Sequence, residues 1–163
     1  MKDKTENKWN LSTLIKRGGV YHDVPGNTPK ESIAGMIGLL PPDPGLDPQK
    51  LLAEILERET FMSTGIGRGI ALPHPRNPMP GENGRPLVAL AFPREPLDWN
   101  TPDGSKVHTF FLIVSVSVKQ HLDTLSKINF LCKQEKFYSL IKGRSSKEDI
   151  ITAIREAETA WEA

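Results

Sequence analysis

With 163 residues, the chain is long enough for one domain with a sizeable core. Its 21 basic residues stand against 20 acidic ones, a net charge of +1, so nothing steers it to nucleic acid or to an anionic membrane. The single cysteine, Cys132, excludes an internal disulfide or a cysteine-based zinc finger. No apolar run approaches the roughly 18 residues of a membrane span, and the N-terminus lacks an apolar signal core. A soluble, cytoplasmic protein without direct membrane insertion is therefore expected.

Met1 to Lys8 is charged and polar, so residues 1–9 are expected to form a flexible tail ahead of one domain over 10–163. Leu11, Leu14 and Ile15 share a helical face that Gly18-Gly19 stops. Val20-Tyr21 reads as a short strand, followed by a surface histidine, His22. Thr28-Pro29-Lys30-Glu31 predicts a helix start: Thr28 caps, Pro29 suits the first turn and Glu31 completes a capping box. The helix is expected to run to about Leu40, with Ile33, Met36, Ile37 and Leu40 on one face. Pro41-Pro42-Asp43-Pro44-Gly45 breaks the chain. Asp47-Pro48 opens another helix, with Leu51, Leu52, Ile55 and Leu56 inward and Arg58 near its end. There a cation is favoured by the helix dipole.

Ser63-Thr64-Gly65-Ile66-Gly67-Arg68-Gly69-Ile70-Ala71-Leu72-Pro73-His74-Pro75 is the most distinctive stretch. The alternating glycines predict a tight backbone approach to a short buried strand, Ile70-Ala71-Leu72. The pattern is neither G-x-G-x-x-G nor a P-loop, so it gives no support for nucleotide binding. Pro73 and Pro75 fix the backbone on both sides of His74 and allow no regular structure through it.

Residues 75 to 86 are rich in proline and glycine and read as an irregular loop. Leu87 to Phe92 is a buried strand, followed by a loop from Pro93 to Lys106. Val107 to Val118 is the longest strand candidate, with Phe110, Leu112, Val114 and Val116 on one face and Phe111 and Ile113 on the other. A strand apolar on both faces belongs in the middle of a helix-covered sheet. His108 opens it as a satisfied structural histidine. A helix over 119–132 carries Leu122, Leu125, Ile128 and Leu131 or Cys132 as its buried stripe, with His121 in its first turn. Cys132 on that stripe is expected to be an inert buried thiol. Phe137, Leu140 and Ile141 suggest a short helix ending at Gly143. Ser145-Ser146-Lys147-Glu148 caps the last one, with Ile150, Ile151 and Ile154 inward. Helices alternating with buried strands argue an α/β layered domain.

The stretch from Ser63 to Gly67 and from Ile70 to His74 resembles the active-site signature of the type 2 enzyme IIA domains of the bacterial phosphoenolpyruvate-dependent sugar phosphotransferase system (PTS), the fructose/mannitol/nitrogen-regulatory class. Two further pieces agree in order and spacing: Glu57-Arg58-Glu59 upstream, with the family's arginine-to-histidine spacing, and Gln120-His121-Leu122 at the position of its second histidine. The likeness runs from about Leu11 to Ala157. It implies one phosphotransferase/anion-transport-protein-like domain over 10–163, a central mixed β-sheet flanked by helices on both faces. It also implies a phosphoryl carrier, with the phosphocarrier HPr as donor and an enzyme IIB or a regulatory target as acceptor. A free-standing IIA serves either a separate transport subunit or nitrogen regulation, and the second is favoured.

Each residue type suits that chemistry. A neutral imidazole attacks phosphorus near neutral pH, which makes His74 the expected nucleophile. Arg58 offers a forked guanidinium to the phosphoryl oxygens, and His121 offers a hydrogen bond from a helix start. Ser63 and Thr64 are candidates for binding the phosphoryl oxygens or fixing the His74 tautomer. Neither metal nor cofactor is needed. One position departs from the family: Pro75 replaces its usual glycine and offers no N–H. The loop after it is also long for the family, and both features bear on donor docking rather than on the acceptor. The competing reading is a catalytically silent, IIA-like protein-interaction module. A metal site built from His74, His108 and His121 matches no compact ligand spacing.

Overall fold

The computed structural model describes residues 9–79 and 85–162. Of the tail expected over 1–9, only Trp9 falls within it. The chain folds as α1 (Leu11–Gly18), β1 (Gly19–Val24), α2 (Pro29–Ile37), α3 (Pro48–Phe61), β2 (Gly65–Gly67), β3 (Ile70–Ala71), β4 (Leu87–Pro93), β5 (Thr109–Val114), α4 (Val118–Lys133), α5 (Glu135–Lys142) and α6 (Lys147–Glu162). The strands form one sheet in the order β1-β4-β5-β3-β2. β1 runs parallel to β4 and β3 parallel to β5, while β4 pairs antiparallel with β5 and β2 with β3. The sheet is thus mixed, and the five described strands close in a single layer with β5 at its centre.

Strand periodicity sorts the core into two layers. Val88, Leu90, Phe92, Phe111 and Ile113 face α1, α4, α5 and α6 through Leu11, Ile128, Ile141 and Ile154. Leu87, Ala89, Phe110, Leu112 and Val114 face α2 and α3 through Ile33, Met36, Leu51 and Ile55. Every residue of β4 and β5 is buried, as a doubly covered sheet requires. Cys132 belongs to the first layer, where burial pushes its thiol up to about 12.

Helix starts follow the sequence closely. Asn10, Thr28, Asp47, Ser117 and Ser146 each accept a hydrogen bond from a first-turn N–H. The α2 box differs in one detail: Glu31 reaches back to the N–H of Asn27, one residue before the cap.

Three expected ends differ. α2 stops at Ile37, with Gly38 as its cap, and the next residues turn. The strand expected over 107–118 is confined to Thr109–Val114, one residue shorter than β4. Val107 instead bridges Leu97, and Ser115 to Ser117 turn into α4. Leu122 faces solvent, and the buried stripe of α4 is Thr124, Ile128, Leu131 and Cys132. Thr124 is tolerated inside because its hydroxyl donates to the Gln120 carbonyl and accepts from the Gln120 amide. Of the loop over 75–86, Pro80 to Gly84 lies outside the described residues. Its first part is pinned, with the Arg76 N–H on Glu54 O and the Met79 N–H on Ser115 O.

Candidate active site

The parallel pairing of β3 and β5 decides where the histidines meet. The chain leaves the C-terminal end of β3 through Leu72, Pro73 and His74, and Ile113 N–H donates to Pro73 O at 3.0 Å. β5 ends one residue later and turns through Ser115–Ser117 into α4. His121, in the first turn of α4, therefore lies beside His74, with ring centroids 4.6 Å apart and ring planes inclined by 48°. His74 Nδ1 lies 2.8 Å from Leu72 O. A carbonyl only accepts, so Nδ1 carries the hydrogen and Nε2 keeps the lone pair. His121 Nδ1 lies 3.1 Å from the Ser115 hydroxyl.

Arg58 sits in the last turn of α3, where Nη1 donates to Met62 O at 2.8 Å. The helix-end placement and the site placement are the same placement. One donor satisfies the helix terminus, and the guanidinium's remaining donors make no other hydrogen bond among the described residues. Its charge bears on both rings. His121 is pushed down to about 4, by burial first and then by His74 and Arg58. His74 is also lowered, by burial first, against the opposing Leu72 bond, with Arg58 adding to the lowering. Both imidazoles are thus neutral at pH 7.

A base with a folded pKa below its unfolded value of 6.5 binds fewer protons when folded. Stability that is present above pH 6.5 is then lost as pH falls from 6.5 towards 4. Urea midpoints measured across that window are expected to drop with acidification, and His121→Gln is expected to flatten the slope.

Ser63 and Thr64 are not turned to this pair. The Ser63 hydroxyl donates to Trp99 O and accepts from Gly65 N–H. The Thr64 hydroxyl donates to the Glu59 carboxylate, which also accepts from Thr64 N–H and the Trp99 indole. Both hydroxyls are spent on anchoring the start of β2, and neither hydrogen-bonds His74. Glu59, next to Arg58, is the residue whose role the sequence did not disclose: its partner Trp99 lies 40 positions away.

The glycines build a hairpin rather than a phosphate cradle. Gly67, which ends β2, and Arg68 and Gly69, which lead into β3, all take positive φ. A Cβ at Gly69 would stand 2.3 Å from the His108 ring. His108 meets Arg68 O, Thr109 and Tyr138 there, before β5 begins, at the end of the β3–β5 pair opposite to His74. The three histidines of the metal reading are therefore not gathered.

Exposed apolar side chains lie close in the sequence to Arg58 and His121. Phe61 and Met62 follow Arg58, and Val118 and Leu122 flank His121; all four are exposed. Arg76, two residues after His74, stacks on Phe61 at 4.7 Å and pairs with Glu57 at 2.8 Å.

Comparison with known proteins bears on the family and the fold. Residues 13–157 match the family described as "Phosphoenolpyruvate-dependent sugar phosphotransferase system, EIIA 2". The chain is 30% identical over 112 residues to the PTS system fructose-specific EIIABC component of Bacillus subtilis (strain 168), which covers 68% of this chain but only 17% of that protein. It is 30% identical over 121 residues to the nitrogen regulatory protein of Pseudomonas aeruginosa, covering 72% of this chain and 77% of that one. Among solved structures, nitrogen regulatory protein IIA-Ntr from Neisseria meningitidis superposes with a TM-score of 0.74 at 24% identity, covering 88% of this chain and 98% of the other. Among the described residues no helix is long and apolar enough to cross a membrane.

Proposed function

The chain belongs to the EIIA 2 family of the phosphoenolpyruvate-dependent sugar phosphotransferase system, and on that premise we propose that it is a histidine phosphoryl carrier charged by HPr on His74. The Nε2 lone pair attacks phosphorus as the bond from phosphorus to the donor breaks, and the donor keeps that electron pair. Arg58 faces the equatorial oxygens and neutralises charge, while His121 donates a hydrogen bond to one of them. Ser63 and Thr64 act only by holding the hairpin that carries His74. One observation carries the reading: two imidazole rings stand with centroids 4.6 Å apart, and the Arg58 charge lowers the proton affinity of both.

The exposed apolar side chains Phe61, Met62, Val118 and Leu122, next in sequence to Arg58 and His121, support docking of protein partners at this site. The acceptor is an enzyme IIB or a regulatory target. Likeness over most of the length of a nitrogen regulatory protein favours the regulatory role.

Incubation with phosphoenolpyruvate, enzyme I and HPr is expected to give one acid-labile, alkali-stable phosphate per chain. No uptake, with partner binding retained, would leave the chain as a silent interaction module.

A further inference from the structure

Ser115 carries an assignment that the motif does not contain. It directly follows β5 and is 3% exposed. Its carbonyl accepts from Met79 N–H at 2.8 Å, on the loop that follows His74. Its hydroxyl lies 3.1 Å from His121 Nδ1 and has no other hydrogen-bond partner among the described residues. We propose that Ser115 is a positioning residue that donates to His121 Nδ1 and so holds the ring proton on Nε2.

Hydrogen-bond accounting decides the direction. Were Nδ1–H the donor, the Ser115 O–H would stay buried with no acceptor, which is the costly arrangement. With the hydroxyl donating, the buried O–H has its acceptor, and the ring hydrogen passes to Nε2 of the half-buried His121. The main chain makes the geometry stiff. His121 N–H donates to Ser117 O, Gln120 N–H to the Ser117 hydroxyl, and Val116 N–H to the Gln120 side chain. The turn between β5 and α4 thus fixes both Ser115 and the ring it serves.

The consequence is a complementary pair. His74, with its proton on Nδ1 against Leu72 O, presents a lone pair at Nε2. His121, held the other way, presents an N–H. One ring is set to form the bond to phosphorus, and its neighbour to donate to a phosphoryl oxygen. The opposite tautomer of His121 would turn a lone pair towards those oxygens. Burial keeps His121 neutral, so its tautomer is the variable left to control.

The chemical consequence rests on the carrier reading; the tautomer itself does not. Long-range 1H–15N correlation spectra of the unphosphorylated protein at pH 7.5 are expected to show His121 as one tautomer, protonated at Nε2. Ser115→Ala is expected to give a mixture of tautomers, and Ser115→Thr to restore the single form. Phosphoryl transfer from HPr is expected to fall about three- to tenfold in Ser115→Ala with an unchanged KM. In a His121→Ala background the serine change is expected to cost nothing more, which a merely structural role would not produce. His121 protonated at Nδ1 in the wild type, or an unaltered tautomer in Ser115→Ala, would overturn the proposal. The expected spectra with no phosphate uptake by the wild type would sustain it and overturn the carrier reading instead.

Discussion

Alanine at position 74 is expected to take up no phosphate from charged HPr, a fall of more than about a thousandfold. None of the other three histidines is placed to substitute. His108 uses both ring nitrogens, on Thr109 and on Arg68 O. His22 faces the carbonyls of Arg144 and Ser145 and is exposed. His121 has its Nδ1 on Ser115 and is the donor in the proposed chemistry. The neighbouring substitutions are expected to be graded rather than absolute. His121→Ala removes one donor and is expected to slow transfer by about a hundredfold while leaving the adduct detectable. Arg58→Lys keeps a point charge but loses the planar fork, so transfer is expected to weaken while the imidazoles stay neutral. Counting acid-labile phosphate after incubation with labelled phosphoenolpyruvate, enzyme I and HPr reads all three. Uptake by His74→Ala at the wild-type level would refute the carrier assignment. His74 is half-buried in an irregular segment, so the variant is expected to keep its fold, which its urea midpoint checks.

What the sequence discloses depends on how local the physics is. Helix starts are legible because cap and N–H lie within three residues of each other, as at Thr28 and Glu31. The central strand is legible because Phe110, Leu112 and Val114 alternate with Phe111 and Ile113, and the two sets do enter opposite layers. The irregular backbone at His74 is legible because two prolines remove every regular alternative around it, whereas the role proposed for the ring comes from the resemblance of the motif and not from the prolines. The orientation of short polar side chains is not legible. Ser63 and Thr64 stand next to the motif, yet their hydroxyls are claimed by Trp99 and Glu59, and only the folded loop brings Trp99 near. Leu122 fits the helical stripe by spacing, but the sheet ends before it and Thr124 takes the inner position. Ser115 carries no local signal at all. It reads as the tail of an apolar run, and its role exists only because β5 stops there.

Gly18 gives the largest expected effect on stability, and the reason lies outside the helix-stop role its sequence suggests. It is the last residue of α1, and the chain passes straight into β1 with no linking residue. A Cβ there would stand 2.1 Å from Val88 O, 2.4 Å from Val88 C and 2.7 Å from Ala89 N. All three atoms are backbone of β4, which is hydrogen-bonded to β1 on one side and to β5 on the other, so none can move cheaply. Gly18→Ala is therefore expected to cost more than about 3 kcal/mol, despite the better helix propensity of alanine. Gly35 is the control. It lies inside α2, and the nearest atoms to its added Cβ, in Pro25, are 3.5 Å away. Gly35→Ala is expected to gain about 0.5–1 kcal/mol. Urea unfolding of the pair measures both, and equal midpoints would show that α1 does not press on β4 as described. The effect also reaches the site. Val88 stands opposite Ile113, and Ile113 N–H holds Pro73 O beside His74. A displaced β4 shifts β5, and β5 sets the approach of the two imidazoles. At temperatures where the variant stays folded, Gly18→Ala is thus expected to lower phosphate uptake from a position that touches neither ring.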